Sequence, residues 1–490
     1  MQFFNYQTEG IAFVEKARKV YLAFDMGMGK TITGIAGARS AAHRHVLLVA
    51  EKNEIVNSQN FRKEIEEHFG ADLFYRSLRD EKVPGPGDVR FVCGINPEGL
   101  QKITDKELEC FDAMIIDEAT IAKTRTSIRF KAMLKIARKM NYVVMLSGTP
   151  MMNGAAELYA PLLLLGHPLA GDGTKAAQEA FERIFAGGFL KLIRKLPDGY
   201  EYKDLFGRLR RYAWKYTQWW AKGSNNVREL RWLIQDRFMF QRKADTGGIF
   251  KKKTRRIEWV EKSPEWQHEY ATAWDQYLVT AAERKLNLDN ITELRNLIEN
   301  GQVYQVNSKW KARQAVADIM AGKYGDQRII IFTMFIETDR ILQEELAAAG
   351  ISFKTFDDIA EWKTGTEQVL VGRIASHAKG GNAAEASLTL MIDMNFVPGN
   401  NLQAENRMDR PEQKNEMEVV YYMARGDDDV DAHVQSINKD KMRKIDEFMR
   451  PFTPEEAAEM PAKIRELVAK FPAEFRTLQA MAAPDPVPWE

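Results

Sequence analysis

Eight residues near the N-terminus, Phe24-Asp25-Met26-Gly27-Met28-Gly29-Lys30-Thr31, have the composition of a turn that holds phosphate. Gly27 and Gly29 let backbone N–H groups, that of Met28 among them, close on phosphate oxygens, and a following helix adds the favourable end of its dipole. At this spacing Lys30 reaches the β- and γ-phosphates, and the Thr31 hydroxyl sits on Mg²⁺. The strict pattern has glycine where this chain has Phe24. A second pair, Asp117-Glu118, closes the apolar run Ala113-Met114-Ile115-Ile116. Asp117 suits Mg²⁺ held through its water shell, and Glu118 suits the polarising of an attacking water. A third set, Gln403, Arg407 and Arg410, falls at i, i+4 and i+7, which on a helix is one face. Its two guanidinium groups can supply positive charge as a γ-phosphate departs. Gln7 offers a donor and an acceptor side by side, as an adenine edge requires.

Each set has a plainer reading when taken alone: a turn and cap, acids capping the next helix, a salt-bridged surface helix, a solvated glutamine. For Gln7 alone the solvated reading is favoured. The other three follow one another in one order along one chain, and that order favours the chemistry of a site using ATP and Mg²⁺.

Such residues need a sheet to hold them. Val20-Tyr21-Leu22-Ala23 reads as the strand before the glycine turn, and Val46-Leu47-Leu48-Val49-Ala50 as a buried strand. Asn53 caps an expected helix running to Gly70. Arg90–Gly94, Ala113–Ile116 and Tyr142–Leu146 are further strands, with a helix over about Ser127 to Lys139. This alternation predicts a doubly wound α/β domain, with the two acids at the carboxyl edge of a parallel sheet. Ser147-Gly148-Thr149-Pro150 then places small hydroxyl residues at a strand end, within reach of the acid-bearing loop and a γ-phosphate. A second parallel-sheet domain is expected from Arg328–Phe332, Val369–Gly372 and Leu388–Ile392, with a helix from Ile336 to Ala349 stopped by Gly350. Val430 to Met449 reads as helix, and Thr453-Pro454-Glu455-Glu456 as a capping box opening another.

At 490 residues, 45% hydrophobic and 28% charged, the chain has room for two or three globular domains. The net charge is +1, so overall charge points to no partner, but the distribution does. From Phe189 to Arg256 there are 19 Lys and Arg against 6 Asp and Glu, with Tyr212, Trp214, Tyr216, Trp219 and Trp220 interleaved. Helical spacing is expected from Gly166 to about Ile257, with most tryptophans inside and the excess charge facing a polyanion. Cys93 and Cys110 are too few for a zinc site or a disulfide framework, and read as apolar fillers in a reducing compartment. No uncharged run reaches membrane-spanning length, and the N-terminus lacks a basic region followed by an apolar one. A soluble protein inside the cell is expected, cytoplasmic and nucleoid-associated or nuclear, with no membrane partner.

Leu22–Thr31, Asp117-Glu118-Ala119-Thr120, Ser147–Asn153 and Gln403–Gln413 resemble motifs I, II, III and VI of the Swi/Snf-type ATPases, a branch of the superfamily-two helicases. Phe24 stands where that family usually has an acid, and Thr120 replaces the histidine of its DEAH box. Ser376–Asn382 resembles motif V. Lys222–Leu230 and Phe238–Lys243 are similar to the stretch before the linker in annealing helicases of the HARP type. The resemblance covers about Phe3 to Met449 and implies α/β architecture: two RecA-like parallel-sheet lobes with helical protrusions. It implies lobe 1 over 1–165, a basic, aromatic helical protrusion over 166–250, a linker over 251–264 and a second protrusion over 265–325. Lobe 2 would cover 326–426, and a brace helix with a helical tail 427–490.

It further implies a DNA-dependent ATPase, yielding ADP and phosphate, that tracks double-stranded DNA as a translocase. Forked or branched DNA is the suggested substrate, DNA repair or recombination the setting, and a monomer the expected state. Lys30, Asp117, Glu118, Gln403, Arg407 and Arg410 would be catalytic, with Thr31 and Asp117 on the metal. Arg242, Lys251, Lys252, Lys253 and Lys379 would be DNA contacts. A strand-separating helicase and an ATP-gated, protein-displacing DNA-binding adaptor are the alternatives.

Overall fold

Apolar runs with no polar alternation become strands covered on both faces. Val20 to Phe24 and His45 to Val49 are buried at every position, as parallel strands between helical layers require. The computed structural model describes residues 3–41, 45–51, 59–85, 87–194, 201–203, 209–211, 215–221, 223–283, 302–377, 381–426 and 429–478. Two units emerge: Met1–Lys191, Thr217–Gly247 and Arg443–Glu490 form the first, and Leu192–Tyr216 with Gly248–Met442 the second.

The first unit carries β1 (Lys19–Phe24), β2 (His45–Val49), β3 (Phe74–Ser77), β4 (Phe91–Ile95), β5 (Phe111–Ile116) and β6 (Tyr142–Leu146). Four short strands come next along the chain, β7 (Phe189–Arg194), β8 (Glu201–Lys203), β9 (Leu209–Arg211) and β10 (Lys215–Trp220), before β11 (Phe238–Gln241) returns to the first unit. The main sheet has seven strands in the order β11-β1-β6-β5-β2-β4-β3. Its pairings are parallel throughout. Because β1, β6 and β5 are neighbours, the segments leaving their carboxyl ends, after Phe24, Leu146 and Ile116, emerge side by side. The helix Lys30–Ala41 follows the glycine turn as expected. A helix also covers Gln59–Phe69, while Asn53, its expected cap, lies outside the described residues.

The second unit carries β12 (Lys253–Val260), β13 (Ile329–Thr333), β14 (Phe353–Thr355), β15 (Val369–Arg373), β16 (Leu388–Met391) and β17 (Met417–Ala424). Its six-stranded sheet runs β12-β17-β16-β13-β15-β14, again parallel. Successive residues of β13 point to opposite faces. Ile329 and Ile331 join Leu342, Leu346 and Trp266 in one core, while Ile330 and Phe332 join Trp362, Ile374 and Met408 in the other. Both lobes are thus parallel sheets clad with helices, the α/β class read from the sequence.

The structure departs from the sequence reading in the middle of the chain. Helices do form at Lys175–Phe185 and Val227–Leu233. Between them, however, β7 pairs with β10 and β8 with β9, antiparallel in the latter, so this stretch is β-structure and not helix. Its Tyr, Trp, Thr and Ile favour an extended chain, and the basic residues that suggest helical spacing tolerate either. The expected linker stretch contains β12, which pairs along its whole length with β17, from Lys253 opposite Met417 to Val260 opposite Ala424. The helices expected between Glu265 and Lys323 are Pro264–Glu283 and Gln302–Met320. Val430–Met449 and Pro454–Lys470 are helical, the latter with the Thr453–Glu456 capping box in place. Among the described residues no helix is long and apolar enough to cross a membrane.

Candidate active site

In the turn after β1, Gly27 and Gly29 have φ of 82° and 69°, values that β-carbon sterics make unfavourable for other residues. At Gly29 a side chain would also lack room, since a Cβ would lie 2.5 Å from Gln7 Nε2. The N-terminal helix Asn5–Ala17 leans on this turn: Tyr6 Oη and Gln7 Nε2 each donate to the Met28 carbonyl at 3.3 Å. Gln7 Oε1 accepts from the Phe4 N–H at 3.0 Å. Gln7 therefore sits against the phosphate turn and is not the plain solvated glutamine that it resembles in isolation. Phe24, in the departing position, is fully buried and meets Tyr6 edge-on at 6.0 Å. It is a packing residue for the N-terminal helix.

Lys30 opens the following helix, is 8% exposed, and donates from Nζ to the Asp25 carbonyl at 3.2 Å. Beside it, the Thr31 hydroxyl donates to Asp117 Oδ2 at 3.0 Å, joining residues 86 positions apart. Burial pushes the Asp117 carboxyl up, and the Glu118 charge adds to this; Lys30 and Thr31 pull it back, leaving it at about 6. A half-buried carboxylate and a hydroxyl converging beside a lysine form a hard-oxygen donor pair that fits Mg²⁺. Among the described residues no group of three or more His, Cys, Asp or Glu could hold a metal ion by itself. The phosphate oxygens of a nucleotide would have to complete the coordination, as is usual for Mg²⁺.

Glu118 takes a left-handed backbone with φ of 46°, uncommon for a residue with a side chain and of the kind that gathers at functional sites. Its N–H donates to Asp117 Oδ1 at 2.9 Å, and its Oε2 accepts from the Ser147 hydroxyl at 3.3 Å. Thr120, in the position of the missing histidine, donates to the Glu118 carbonyl at 3.4 Å. The link between the acids and the Ser147-Gly148-Thr149 loop therefore runs through Ser147 and Glu118. Gly148 keeps this loop close to the phosphate turn, where a Cβ would fall 2.7 Å from Met26 Cγ and 3.1 Å from Met26 N. The first unit thus brings together Gln7, the glycine turn, Lys30, Thr31, Asp117 and Glu118, and it bonds Ser147, one of the hydroxyl residues read at the end of its strand, to Glu118.

Gln403, Arg407 and Arg410 lie in the second unit, and the single helical face expected for them does not form. The helix Pro398–Glu405 ends with Asn406 as its cap, leaving Arg407 and Arg410 in the turn beyond. Pro411 is part of the reason, because the residue before a proline is disfavoured in helix. The other part is that Lys253 draws in the chain on both sides of Asn406, bonding its Oδ1 at 2.7 Å and pairing with Glu405 at 3.4 Å and Asp409 at 3.2 Å. Arg407 is buried and donates from Nη1 to the Gly381 carbonyl at 2.7 Å, so it ties this turn to the Ser376–Asn382 segment. Gln403 is 3% exposed, with neither amide atom hydrogen-bonded among the described residues. Arg410 is half-buried.

Of the cations expected to meet DNA, Lys251 and Lys252 are exposed. Lys253 is a correction: its side chain is 13% exposed and belongs to the acid network just described. With Arg255, it holds the buried Glu405 carboxyl down at about 2 against the upward push of burial. Arg242 pairs with Asp446 at 2.8 Å. Lys379 lies outside the described residues.

Comparison with known proteins adds to this geometry. The SNF2-related domain family matches residues 95–326, and the family "Type III restriction enzyme, res subunit" matches residues 1–152. A Caenorhabditis elegans protein, "SWI/SNF-related matrix-associated actin-dependent regulator of chromatin subfamily A-like protein 1 homolog", is 23% identical over 451 residues, 86% of this chain and 58% of the relative. The mouse "DNA annealing helicase and endonuclease ZRANB3" is 23% identical over 238 residues, 47% of this chain and 20% of the relative. A solved Sulfolobus solfataricus structure, "SWI2/SNF2 ATPase core in complex with dsDNA", is 16% identical with a TM-score of 0.40, covering 96% of both chains. The chain spans about half the length of the curated relatives it matches.

Proposed function

We propose that the chain is a Swi/Snf-type ATPase of the superfamily-two helicases, a reading supported by its family matches and relatives, and that it is a DNA-dependent ATPase acting as a duplex-DNA translocase, with forked or branched DNA as its substrate. The observation that carries the proposal is the convergence of the glycine turn, Lys30, Thr31, Asp117, Glu118 and Ser147 at the carboxyl ends of β1, β5 and β6. In this reading Lys30 and the turn's N–H groups bind the triphosphate, Thr31 and Asp117 hold Mg²⁺, and Glu118 takes a proton from the attacking water while Ser147 orients it. Bound Mg²⁺ would neutralise developing phosphate charge. Arg410 adds positive charge at the transition state, and Arg407 keeps the turn that carries it in shape.

Two features support a DNA substrate: the basic stretch from Phe189 to Arg256, and the names of relatives that include an annealing helicase. ATP turnover measured without DNA, then with single-stranded, duplex and forked DNA, tests the reading. Duplex or fork stimulation supports it, and indifference to all DNA overturns it. Displacement of a triplex-forming strand separates travel from an ATP-gated grip, and release of one strand from a forked duplex would favour a helicase.

The exposed lysines give a narrower expectation. Lys251→Glu with Lys252→Glu should weaken DNA binding and flatten its salt dependence, by about 0.9 in the logarithmic slope for each phosphate no longer neutralised. Anisotropy titrations at several salt concentrations read both, and an unchanged slope would make the pair a solvated turn. Lys253→Glu should act differently. It sets a third acid beside buried Glu405 and Asp409, so the loss should be of stability, about 3–5 kcal/mol in a denaturant titration.

A further inference from the structure

Asp25 is tied on three sides. Its N–H donates to the Gln241 carbonyl at 2.9 Å, and its Oδ2 accepts from the Lys243 N–H at 2.9 Å. Its own carbonyl accepts from Lys30 Nζ at 3.2 Å. The first two bonds reach the exit of β11, and the third reaches the lysine of the phosphate turn. The carboxylate bond spans 218 positions of sequence, so the turn's opening is fixed by the last strand added to the sheet.

On its other side β11 is held by the last turn of the helix Val430–Met449. Phe240 meets the buried Phe448 edge-on at 5.3 Å, and the Arg231 guanidinium lies 4.0 Å from the Phe240 ring centroid. Arg231 Nη1 also donates to the carbonyls of Phe448 and Met449, at 2.7 and 2.6 Å. Burial, with repulsion from Arg228, lowers this guanidinium to about 9, and the carbonyls closing the helix are a fitting answer to its charge. Arg242, the residue after β11, pairs with Asp446 of the same helix. From Phe448 to Lys30 the path therefore has two intervening pieces, β11 and Asp25, each in direct contact with the next.

We propose that Asp25 is a positioning residue for Lys30, and that β11 transmits the docking of the last turn of the helix Val430–Met449 to the nucleotide site. The proposal rests on the reading of the glycine turn as an ATP site. With the helix end seated, β11 stays in register with β1, Asp25 stays on the Lys243 N–H, and Lys30 is held where the β- and γ-phosphates bind. Unseating the helix end loosens that hold without touching a group that contacts nucleotide. The ATP site is in this way made sensitive to a segment encoded more than four hundred residues later.

The test uses the full chain, Mg²⁺ and a fluorescent ATP analogue, with thermal melting of each variant as a check on folding. Asp25→Ala should raise the dissociation constant about tenfold, while single-turnover hydrolysis at saturating ATP stays within about threefold, because the loss is of ground-state positioning. Asp25→Asn keeps an oxygen for the Lys243 N–H and should recover most of the affinity, which a general loss of structure would not allow. Phe448→Ala should weaken binding in the same direction by about threefold. Arg242→Ala, which removes only a half-exposed ion pair, serves as the milder variant with the same expected sign. Combined with Asp25→Ala, either should add nothing, since both act through the same bonds. Affinity of Asp25→Ala within twofold of the parent, or full additivity in the double variants, overturns the proposal. Lys30→Ala separates this from the underlying reading: if it binds the analogue normally, the ATP site itself is wrong; if it loses binding while Asp25→Ala does not, only the proposal falls.

Discussion

Arg410→Ala is expected to leave ATP affinity within a few-fold and to cut turnover by about 10³ or more, the usual worth of an arginine that acts on a departing phosphoryl group. Charge spreads over the γ-phosphoryl oxygens at the transition state more than in bound ATP, so its stabiliser appears in the rate and not in the binding constant. Lysine should rescue poorly, because a point charge does not reproduce a planar fork of donors. The structure distinguishes this arginine from its neighbour. Arg407 is buried and bonded to the Gly381 carbonyl, whereas Arg410 is half-buried in the turn beyond the helix. Arg407→Ala should therefore also lower stability, by about 1.5–3 kcal/mol for removal of a charged hydrogen bond. Arg410→Ala, at a half-buried position, should lower the melting transition by less than Arg407→Ala does. Steady-state turnover, analogue binding and thermal melting, taken on both variants, check the distinction. Near-normal, DNA-stimulated turnover in Arg410→Ala would remove it from the catalytic set.

Glu118→Gln should bind Mg²⁺ and ATP much as the parent does and lose turnover by about 10³, within the range for removing a general base. The amide keeps the shape, and its oxygen can still accept from the Ser147 hydroxyl, which lies 3.3 Å from Oε2 of the glutamate. Only the capacity to take a proton disappears. Lys30→Ala should fail differently, with weak ATP binding and no turnover, because the phosphates lose their main cationic partner. The pair is read by nucleotide binding and phosphate release on the same preparations. Equal loss of binding in both variants would contradict the division of roles. Ser147→Ala is the intermediate case: it frees Glu118 without changing its charge, and a loss of turnover with binding intact would support an orienting role.

The convergence of the candidate nucleotide-binding residues was legible in the sequence because local chemistry encodes it. A turn with φ above 60° at two positions selects glycine, a strand buried on both faces selects an unbroken apolar run, and the residues just beyond such strands face ligands. Lys30, Thr31, Asp117 and Glu118 could be named on that basis, and the parallel α/β character of both lobes followed from the same runs. Other features were fixed only by tertiary structure, because each depends on what stands opposite in space. The sequence placed several hydroxyl residues near the acid-bearing loop, but only the adjacency of β1, β6 and β5 selects the Ser147 hydroxyl as the one bonded to Glu118, because no local pattern specifies strand order. Lys251, Lys252 and Lys253 are alike as a sequence, yet the third is drawn in by Glu405 and Asp409, which lie more than a hundred residues away. Arg407 and Arg410 have helical spacing, but the helix stops at Glu405, where Lys253 draws in the chain around Asn406, and Pro411 disfavours helix at Arg410. The β7–β10 segment has residues that tolerate helix or strand, and pairing decided for strand. Asp25 reads as one more residue of a glycine turn. Its attachment to β11 exists only once Lys243, 218 positions later, has returned to the edge of the first sheet.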